Sequence, residues 1–141
     1  MCHFSSSDER NNNTINLKNM QKINLNGTGE IKLSLPYPEE TFKFRHNLWK
    51  KLIPEGSVVL DIGAHIGSFS LIFGSCTGKK GAVLAFEPHK YTYNILSENS
   101  KNNPDLNIIP LNYACTEENK KYIFNYSDEK QWKHGVNGGY F

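Results

Sequence analysis

The sequence predicts an α/β fold in which a parallel β-sheet follows a small antiparallel β-meander. Three short apolar runs, at 58–62, 82–87 and 107–112, have the length and the residue types of β-strands. Segments with helical spacing of apolar residues separate these runs, so the order is β-α-β-α-β. This alternation requires a parallel sheet with helices packed on its faces.

Before these runs, the chain begins with a polar tail and a stretch of weak alternation. Residues 1–13 contain runs of serine and asparagine. We expect them to be disordered, because they bury too little apolar surface to offset the entropy of ordering. Apolar residues alternate loosely across 14–35, with Asn26-Gly27 between two of the runs. That pattern predicts a β-hairpin or a small meander.

A helix is predicted over 39–53, between Pro38 and Pro54. Four of its residues recur at helical spacing: Phe42, His46, Trp49 and Ile53. Two of these aromatic side chains would also suit the stacking of a flat substrate. An aromatic stripe on a helix is more often core packing, and we predict that role.

The three runs of the sheet have distinct boundaries. The run 58–62 is continuously apolar apart from Asp61, which is typical of a strand buried on both faces. The second run ends in Glu87, and Pro88 suits the first turn of a helix over 89–102. The third run leads directly into Tyr113 and Ala114. Further alternation at Tyr122, Phe124 and Tyr126, followed by Asn137-Gly138-Gly139, predicts a carboxyl-terminal hairpin.

Composition limits the classes of partner and compartment. The formal net charge is only +2, and the basic residues are scattered, so we expect no nucleic acid partner. The three cysteines form no Cys-x-x-Cys pair, so we expect neither disulfides nor a metal site. The first ten residues lack the apolar segment of a signal peptide, and no apolar run reaches the roughly 20 residues of a membrane span. We therefore expect a cytoplasmic protein without membrane contact.

The candidate site lies where the first strand of the sheet ends. Asp61, Gly63 and Gly67 form the pattern D-x-G-x-x-x-G, and Glu87 follows the last of them by 87 − 67 = 20 residues. Because neighbouring parallel strands end side by side, the glycine turn and the acid of the second strand should face one crevice. A carboxylate can accept both hydroxyls of a ribose, and a glycine turn leaves room for the atoms beyond the sugar. The sequence therefore predicts a site for a nucleotide-like cofactor.

Each residue of this pattern also has a purely structural interpretation. Asp61 could accept amides of its own turn or bind an ammonium group. Glu87 could be a charge that stabilises the start of the next helix through the helix dipole. The joint pattern, in a strand-turn-helix context, favours cofactor binding over either structural role alone.

At these residues the sequence resembles the FkbM family of S-adenosylmethionine-dependent methyltransferases. The resemblance covers about 55–141 and depends on Asp-Ile-Gly-Ala-His-Ile-Gly, on Phe-Glu-Pro, and on the segment from Asn94 to Asn99. It implies a class I methyltransferase fold with a Rossmann-like sheet, and methyl transfer to a hydroxyl oxygen of a small or sugar-containing acceptor.

The resemblance also implies roles for individual residues. Asp61, Gly63 and Gly67, with the intervening turn that includes Ala64 and His65, would surround the methionine part of S-adenosylmethionine. Glu87 would bind the ribose. The cofactor-binding set is completed, near the adenine, by Tyr113 and Ala114.

No catalytic base can be assigned from the sequence. His65 and His134 are candidates, but a single histidine in a loop is more often a packing or solvent-exposed residue. Cys115 has no neighbouring base or cationic helix end that would activate a thiol. We predict that it is a small buried apolar residue.

The resemblance is incomplete at the carboxyl-terminal end. FkbM-like proteins continue into a Lys-x-Asp-x-Glu-Gly-type segment, and none is present before Phe141. Strands are supplied for only one side of the 58–62 strand, which is expected to lie at a sheet edge. We therefore expect 1–13 to be a tail, 14–54 a meander and helix, and 55–141 a partial methyltransferase domain completed by a missing carboxyl-terminal half or a partner chain.

Two other functions are compatible with parts of the pattern. A nicotinamide dehydrogenase also has an acid at the end of its second strand. It requires G-x-G-x-x-G for the pyrophosphate, however, and Ala64 and His65 interrupt that spacing. The other alternative is a non-catalytic remnant that binds the cofactor weakly or acts through protein contacts.

Overall fold

The computed structural model describes residues 2–3, 20–25, 29–118, 125–126 and 139–140. Several sequence predictions therefore lie outside the described residues. They are most of the polar tail, the first apolar alternation at Ile15 and Leu17, the later alternation at Tyr122 and Phe124, and His134.

A β-hairpin and a helix precede the main sheet. After the short strand β1 (Cys2–His3), strands β2 (Gln21–Leu25) and β3 (Gly29–Leu33) pair in antiparallel register, with Ile23 opposite Ile31. The apolar side chain of every second residue of the hairpin is buried, as the alternation predicts. The hairpin prediction is therefore confirmed for these strands.

Helix α1 (Glu39–Trp49) begins after Pro38 and has two acidic residues in its first turn, which the helix dipole favours. It ends four residues before the predicted boundary at Ile53. Residues before a proline disfavour helical geometry, and the segment leading to Pro54 forms turns instead. Phe42 is fully buried, and the Trp49 ring contacts the Phe73 ring edge-on at a centroid distance of 5.1 Å. The aromatic stripe is thus core packing.

The main sheet has three parallel strands in the order β4-β5-β6. The alternating elements are β4 (Val58–Ile62), α2 (Ser68–Thr77), β5 (Ala82–Phe86), α3 (Lys90–Asn102) and β6 (Ile108–Leu111), with a 3₁₀ turn at Pro104–Leu106. The predicted fold class, α/β with a Rossmann-like parallel sheet and a small amino-terminal hairpin, is confirmed. Pro88 lies before the first residue of α3 rather than in its first turn, because His89 is the N-cap.

The helices cover one face of this sheet, and the other face is apolar and exposed. Helix α2 packs on β4 and β5, and α3 on β6, so that Val83 and Ala85 are completely buried. On the opposite face Val58, Leu60 and Ile62 are 66%, 60% and 64% exposed. The prediction that this strand is buried on both faces is therefore wrong. A continuous apolar run has the same composition whether one face or both are covered, so length and residue type could not distinguish the two cases.

Two small antiparallel pairs complete the described structure. Strand β7 (Tyr113–Ala114) pairs with β1, and β8 (Asn125–Tyr126) pairs with β9 (Gly139–Tyr140). Cys115, which immediately follows β7, is exposed. The prediction that it is a buried apolar residue is therefore wrong, because the side chain lies beyond the last paired residue of the strand. Among the described helices, none is long and apolar enough to cross a membrane.

Candidate cofactor site

The candidate site is the turn between β4 and α2, together with the residue that follows β5. In the parallel register Ile62 lies opposite Phe86, so both strands end at the same level. The backbone N–H groups of Gly63 and Ala64 both donate to the Phe86 carbonyl, each at 2.9 Å. The turn therefore bends across the end of β5 and brings Gly63 close to Glu87, as parallel pairing of the two strands predicts.

The two glycines of the turn have different surroundings. Gly63 has φ +78°, and a Cβ atom at this position would meet no atom within 4 Å. Gly67 has φ +88° and is the N-cap of α2, and a Cβ atom there would lie 2.6 Å from Cδ1 of Leu96. Both positions favour glycine because of the left-handed backbone. Only Gly63 borders open space, which is the arrangement required where a ligand approaches the backbone.

Glu87 connects the two sides of the site through its carboxylate. Oε2 accepts a hydrogen bond from the backbone N–H of His65 at 2.8 Å, and Oε1 accepts one from the backbone N–H of His89 at 2.8 Å. The residue is buried, with 6% of its surface exposed. A carboxylate has about four acceptor positions, so each oxygen retains capacity for a further donor such as a ribose hydroxyl. The structural role and the predicted ligand role are therefore compatible.

Asp61 faces the helix side of the same turn. Its Oδ2 accepts a hydrogen bond from Oγ of the buried Ser70 at 2.6 Å. Burial raises the pKa of the Asp61 carboxyl above the ordinary value, and the hydrogen bond from Ser70 opposes that rise. Within the described part of the chain, Oδ1 of Asp61 makes no hydrogen bond. That oxygen is the acceptor that an ammonium group of a ligand would require.

His65 has an unusual backbone conformation for a residue with a side chain. Its φ is +55°, in the left-handed region, and its N–H points to Glu87. The half-buried imidazole has a lowered pKa because burial disfavours its charged form. The backbone of His65 therefore lies in the turn, where its N–H is held by the Glu87 carboxylate.

Tyr113 and Ala114 lie beyond the end of β6, the strand that pairs with β5. The backbone N–H of Glu87 donates to the Leu111 carbonyl at 3.0 Å, which aligns the ends of β5 and β6. Ala114 is buried and Tyr113 is half-buried. The described structure therefore brings Asp61, the glycine turn and Glu87 to the carboxyl-terminal edge of the main sheet, whereas Tyr113 and Ala114 follow β6 and pair with β1 in a separate two-stranded sheet. Among the described residues, no group of three or more His, Cys, Asp or Glu side chains could hold a metal ion.

Three polar side chains that support the site were not found by sequence reasoning. Ser70 bonds Asp61, Asn99 bonds the glycine turn, and Nδ2 of Asn112 donates to the carbonyls of Glu87 and Pro88 at 2.8 and 3.1 Å. Ser70 lies nine residues after Asp61 on α2, and only the path of the turn brings the two together. For Asn99 a signal existed, since Asn99 and Asn103, the residue that caps α3, are four residues apart and both buried.

No protein-family model matches the chain, and no curated protein matches it. Similar solved structures include an S-adenosylmethionine-dependent methyltransferase from Aquifex aeolicus, with 20% identity, a TM-score of 0.44, and coverage of 55% of this chain and 48% of that one. Fibrillarin from Aeropyrum pernix, solved with natively bound S-adenosyl-L-methionine, has 18% identity, a TM-score of 0.48, and coverage of 70% and 42%. Trm5b from Pyrococcus abyssi has 28% identity, a TM-score of 0.46, and coverage of 64% and 27%. The chain spans less than half the length of each of these proteins.

Proposed function

We propose that this chain binds S-adenosylmethionine and carries the cofactor-binding part of a class I methyltransferase of the FkbM type. The observation that carries the proposal is the junction of Glu87 with the glycine turn, in which the carboxylate accepts the His65 N–H at 2.8 Å while Gly63 borders open space. An adenosyl cofactor without a pyrophosphate needs an acid for the ribose and a close approach to the backbone, and this junction supplies both.

Each part of the cofactor has a complementary group in the chain. The second carboxylate oxygen of Asp61 would accept the methionine ammonium group, and the turn from Gly63 through Ala64 and His65 to Gly67 would accommodate the methionine chain. The remaining acceptor positions of Glu87 bind the ribose hydroxyls. Tyr113 and Ala114 flank the adenine. The lowered pKa of His65 fits this arrangement, because a neutral imidazole does not repel the positive sulfonium of the cofactor.

When bound, S-adenosylmethionine supplies a methyl group that a nucleophile removes by in-line attack. The chain's task in such a reaction is to bind and orient, since positioning provides much of the rate of a two-reactant step. We propose a hydroxyl oxygen of a small or sugar-containing molecule as the acceptor and assign no described residue as its base. The mild net charge supports a small acceptor over a nucleic acid.

We further propose that additional polypeptide, either more of the same protein or a partner chain, packs on the uncovered sheet face. The support is the row of exposed apolar side chains on β4, an edge strand whose outer side pairs with no strand in the described residues. Proteins normally cover or charge such an edge.

A cytoplasmic location is proposed as well, supported by the absence of a disulfide at Cys76 and Cys115.

Isothermal titration calorimetry with S-adenosylhomocysteine tests the cofactor proposal. We expect saturable binding that Glu87→Ala abolishes and that Glu98→Ala, on the exposed side of α3, leaves unchanged. Circular dichroism shows whether each variant is folded, and Asp61→Asn is a milder second variant if Glu87→Ala unfolds. Tighter binding of NAD would identify an oxidoreductase instead, and a folded protein that binds neither ligand would support the non-catalytic remnant.

A mass-spectrometric assay for methyl transfer tests the acceptor class separately. The protein and S-adenosylmethionine are incubated with a panel of hydroxylated small molecules and sugars, and with bulk RNA as the contrasting acceptor. Methylation of a hydroxylated small molecule supports the proposal, whereas methylation of RNA alone overturns the acceptor class while retaining the cofactor.

A further inference from the structure

The side chain of Asn99 joins the glycine turn to the amino-terminal hairpin. Asn99 lies on α3 and is completely buried. Its Nδ2 donates to the carbonyl of Ile66, inside the turn, at 2.8 Å. Its Oδ1 accepts the backbone N–H of Ser34, just after β3, at 2.8 Å. One amide group therefore bonds two segments that are far apart in the chain and belong to different structural units.

Asn103, the residue that follows α3, makes a similar but separate contact four residues after Asn99. Its Oδ1 accepts the backbone N–H of Lys32 at 2.9 Å, and its Nδ2 donates to the Lys32 carbonyl at 2.7 Å. A second bond from Nδ2 goes to the backbone carbonyl of Asn99 at 2.7 Å. Asn103 thus anchors β3 to α3 without a bond to the turn. The two asparagines together occupy the edge of β3 that β2 leaves unpaired.

Because Asn99 is buried, its hydrogen bonds determine the positions of the backbone groups that they join. A buried backbone carbonyl or N–H without a partner is costly, so the amide of Asn99 strongly favours one position for both of its partners. The Ile66 carbonyl immediately precedes Gly67, whose own N–H donates to the Ala64 carbonyl at 2.9 Å. Any shift of Ile66 therefore changes the path between the two glycines.

We propose that Asn99 is a positioning residue that couples the amino-terminal hairpin to the cofactor turn. The hairpin is then a working part of the binding site, although it contributes no residue to the predicted cofactor contacts. The effect of Asn99 on ligand affinity rests on the proposed function. Its effect on the shape of the turn does not depend on a ligand. Coupling is reciprocal, so a ligand that orders the turn also protects the anchored end of β3.

The test compares Asn99→Leu with Asn103→Leu, two substitutions of similar volume at buried asparagines four residues apart. Both remove buried hydrogen bonds to the hairpin and should lower the melting temperature. Only Asn99→Leu should weaken S-adenosylhomocysteine binding, by about tenfold or more, as expected for a typical coupling between two sites. Equal affinity losses in both variants, or none in Asn99→Leu, would overturn the positioning role.

Hydrogen exchange without ligand separates this inference from the cofactor proposal. In Asn99→Leu the amide of Gly67 should exchange faster relative to that of Val83, which reports on the main sheet, and in Asn103→Leu the ratio should equal that of the wild type. Asn99→Ser is the second variant if Asn99→Leu does not fold. In the wild type, S-adenosylhomocysteine should slow exchange at Ser34 more than at Lys32. Absence of ligand binding by the wild type would refute the proposed function only, whereas an unchanged Gly67 ratio in the Asn99 variant refutes the positioning role.

Discussion

The backbone N–H of His65 donates to Oε2 of Glu87 at 2.8 Å, so the end of β5 holds the turn that follows β4. The other carboxylate oxygen accepts the N–H of His89, immediately before α3. Glu87 therefore fixes the relative position of three segments before any ligand is present. A group that binds a ligand and also maintains the shape of its site is preorganised, which reduces the cost of ordering on binding.

Replacing Glu87 with glutamine should reduce both stability and ligand affinity. The amide retains one acceptor oxygen but turns an NH₂ group towards the N–H of either His65 or His89. An unsatisfied buried donor costs about 1–3 kcal/mol, and we expect a loss of that size in the free energy of unfolding by urea.

Glu98→Gln is the matched control for this change. Glu98 forms an exposed ion pair with Lys101 at 3.0 Å, and such pairs contribute about 1 kcal/mol or less. If Glu87→Gln were as stable as Glu98→Gln, the two backbone bonds would not hold the turn.

The pH dependence of stability should identify Asp61. Burial raises the pKa of its carboxyl above the ordinary 3.8, so the folded protein binds this proton more tightly than the unfolded chain does. The contribution of this group to stability is full below pH 3.8 and is lost as the pH rises through the raised pKa. The asparagine of Asp61→Asn does not titrate. The free energy of unfolding of this variant relative to the wild type should therefore increase from pH 3.8 through the raised pKa of Asp61, and then stay constant up to neutral pH.

Ser70→Ala gives the complementary result. It removes the hydrogen bond that favours the ionised carboxylate, so it should raise the pKa of Asp61 further and shift the window to higher pH. Urea denaturation at several pH values measures both effects. A difference between Asp61→Asn and the wild type that is the same at every pH would contradict the assignment.

The sheet and its site were predictable because they depend on local signals. Strand β4 has the predicted bounds, since a short apolar run is followed directly by Gly63. The meeting of Asp61, the glycine turn and Glu87 follows from parallel pairing, because neighbouring strands that run in one direction end at one edge. No long-range information beyond strand order is needed for this step.

The features that sequence reasoning missed depend on distant contacts. The bond between Asn99 and Ser34 spans 65 residues, and nothing in the local pattern of either segment indicates the other. Whether a face of β4 is exposed depends on which segments pack against it, and the composition of the strand is the same whether one face or both are covered. Cys115 differs from a buried cysteine only in lying past the last paired residue of β7.

The glycines of the turn should respond differently to alanine. Gly63→Ala introduces left-handed strain of about 1–2 kcal/mol, without a steric clash. Its methyl group enters the open space, so S-adenosylhomocysteine affinity should fall as well. Gly67→Ala adds a contact of 2.6 Å with the buried Leu96 and should lose more stability than Gly63→Ala.

Gly56→Ala is the control for backbone strain alone. Gly56 has φ +83°, its Cβ would make only an ordinary contact with Lys80, and it lies before β4, at the opposite end of the strand. It should lose about as much stability as Gly63→Ala while binding the ligand like the wild type. Calorimetry on both variants decides this: equal affinities would show that the space beside Gly63 does not receive the ligand.

The two faces of the sheet should tolerate the same substitution to very different degrees. Val83→Thr places a hydroxyl on the completely buried face and should lower the free energy of unfolding by about 1–3 kcal/mol. Val58→Thr makes the same change on a side chain that is 66% exposed and should alter stability by no more than about 0.5 kcal/mol. Urea denaturation of the two variants measures the difference. If further polypeptide covers β4 in solution, Val58→Thr should destabilise the protein as well. If that polypeptide is a partner chain, the loss of stability should depend on protein concentration.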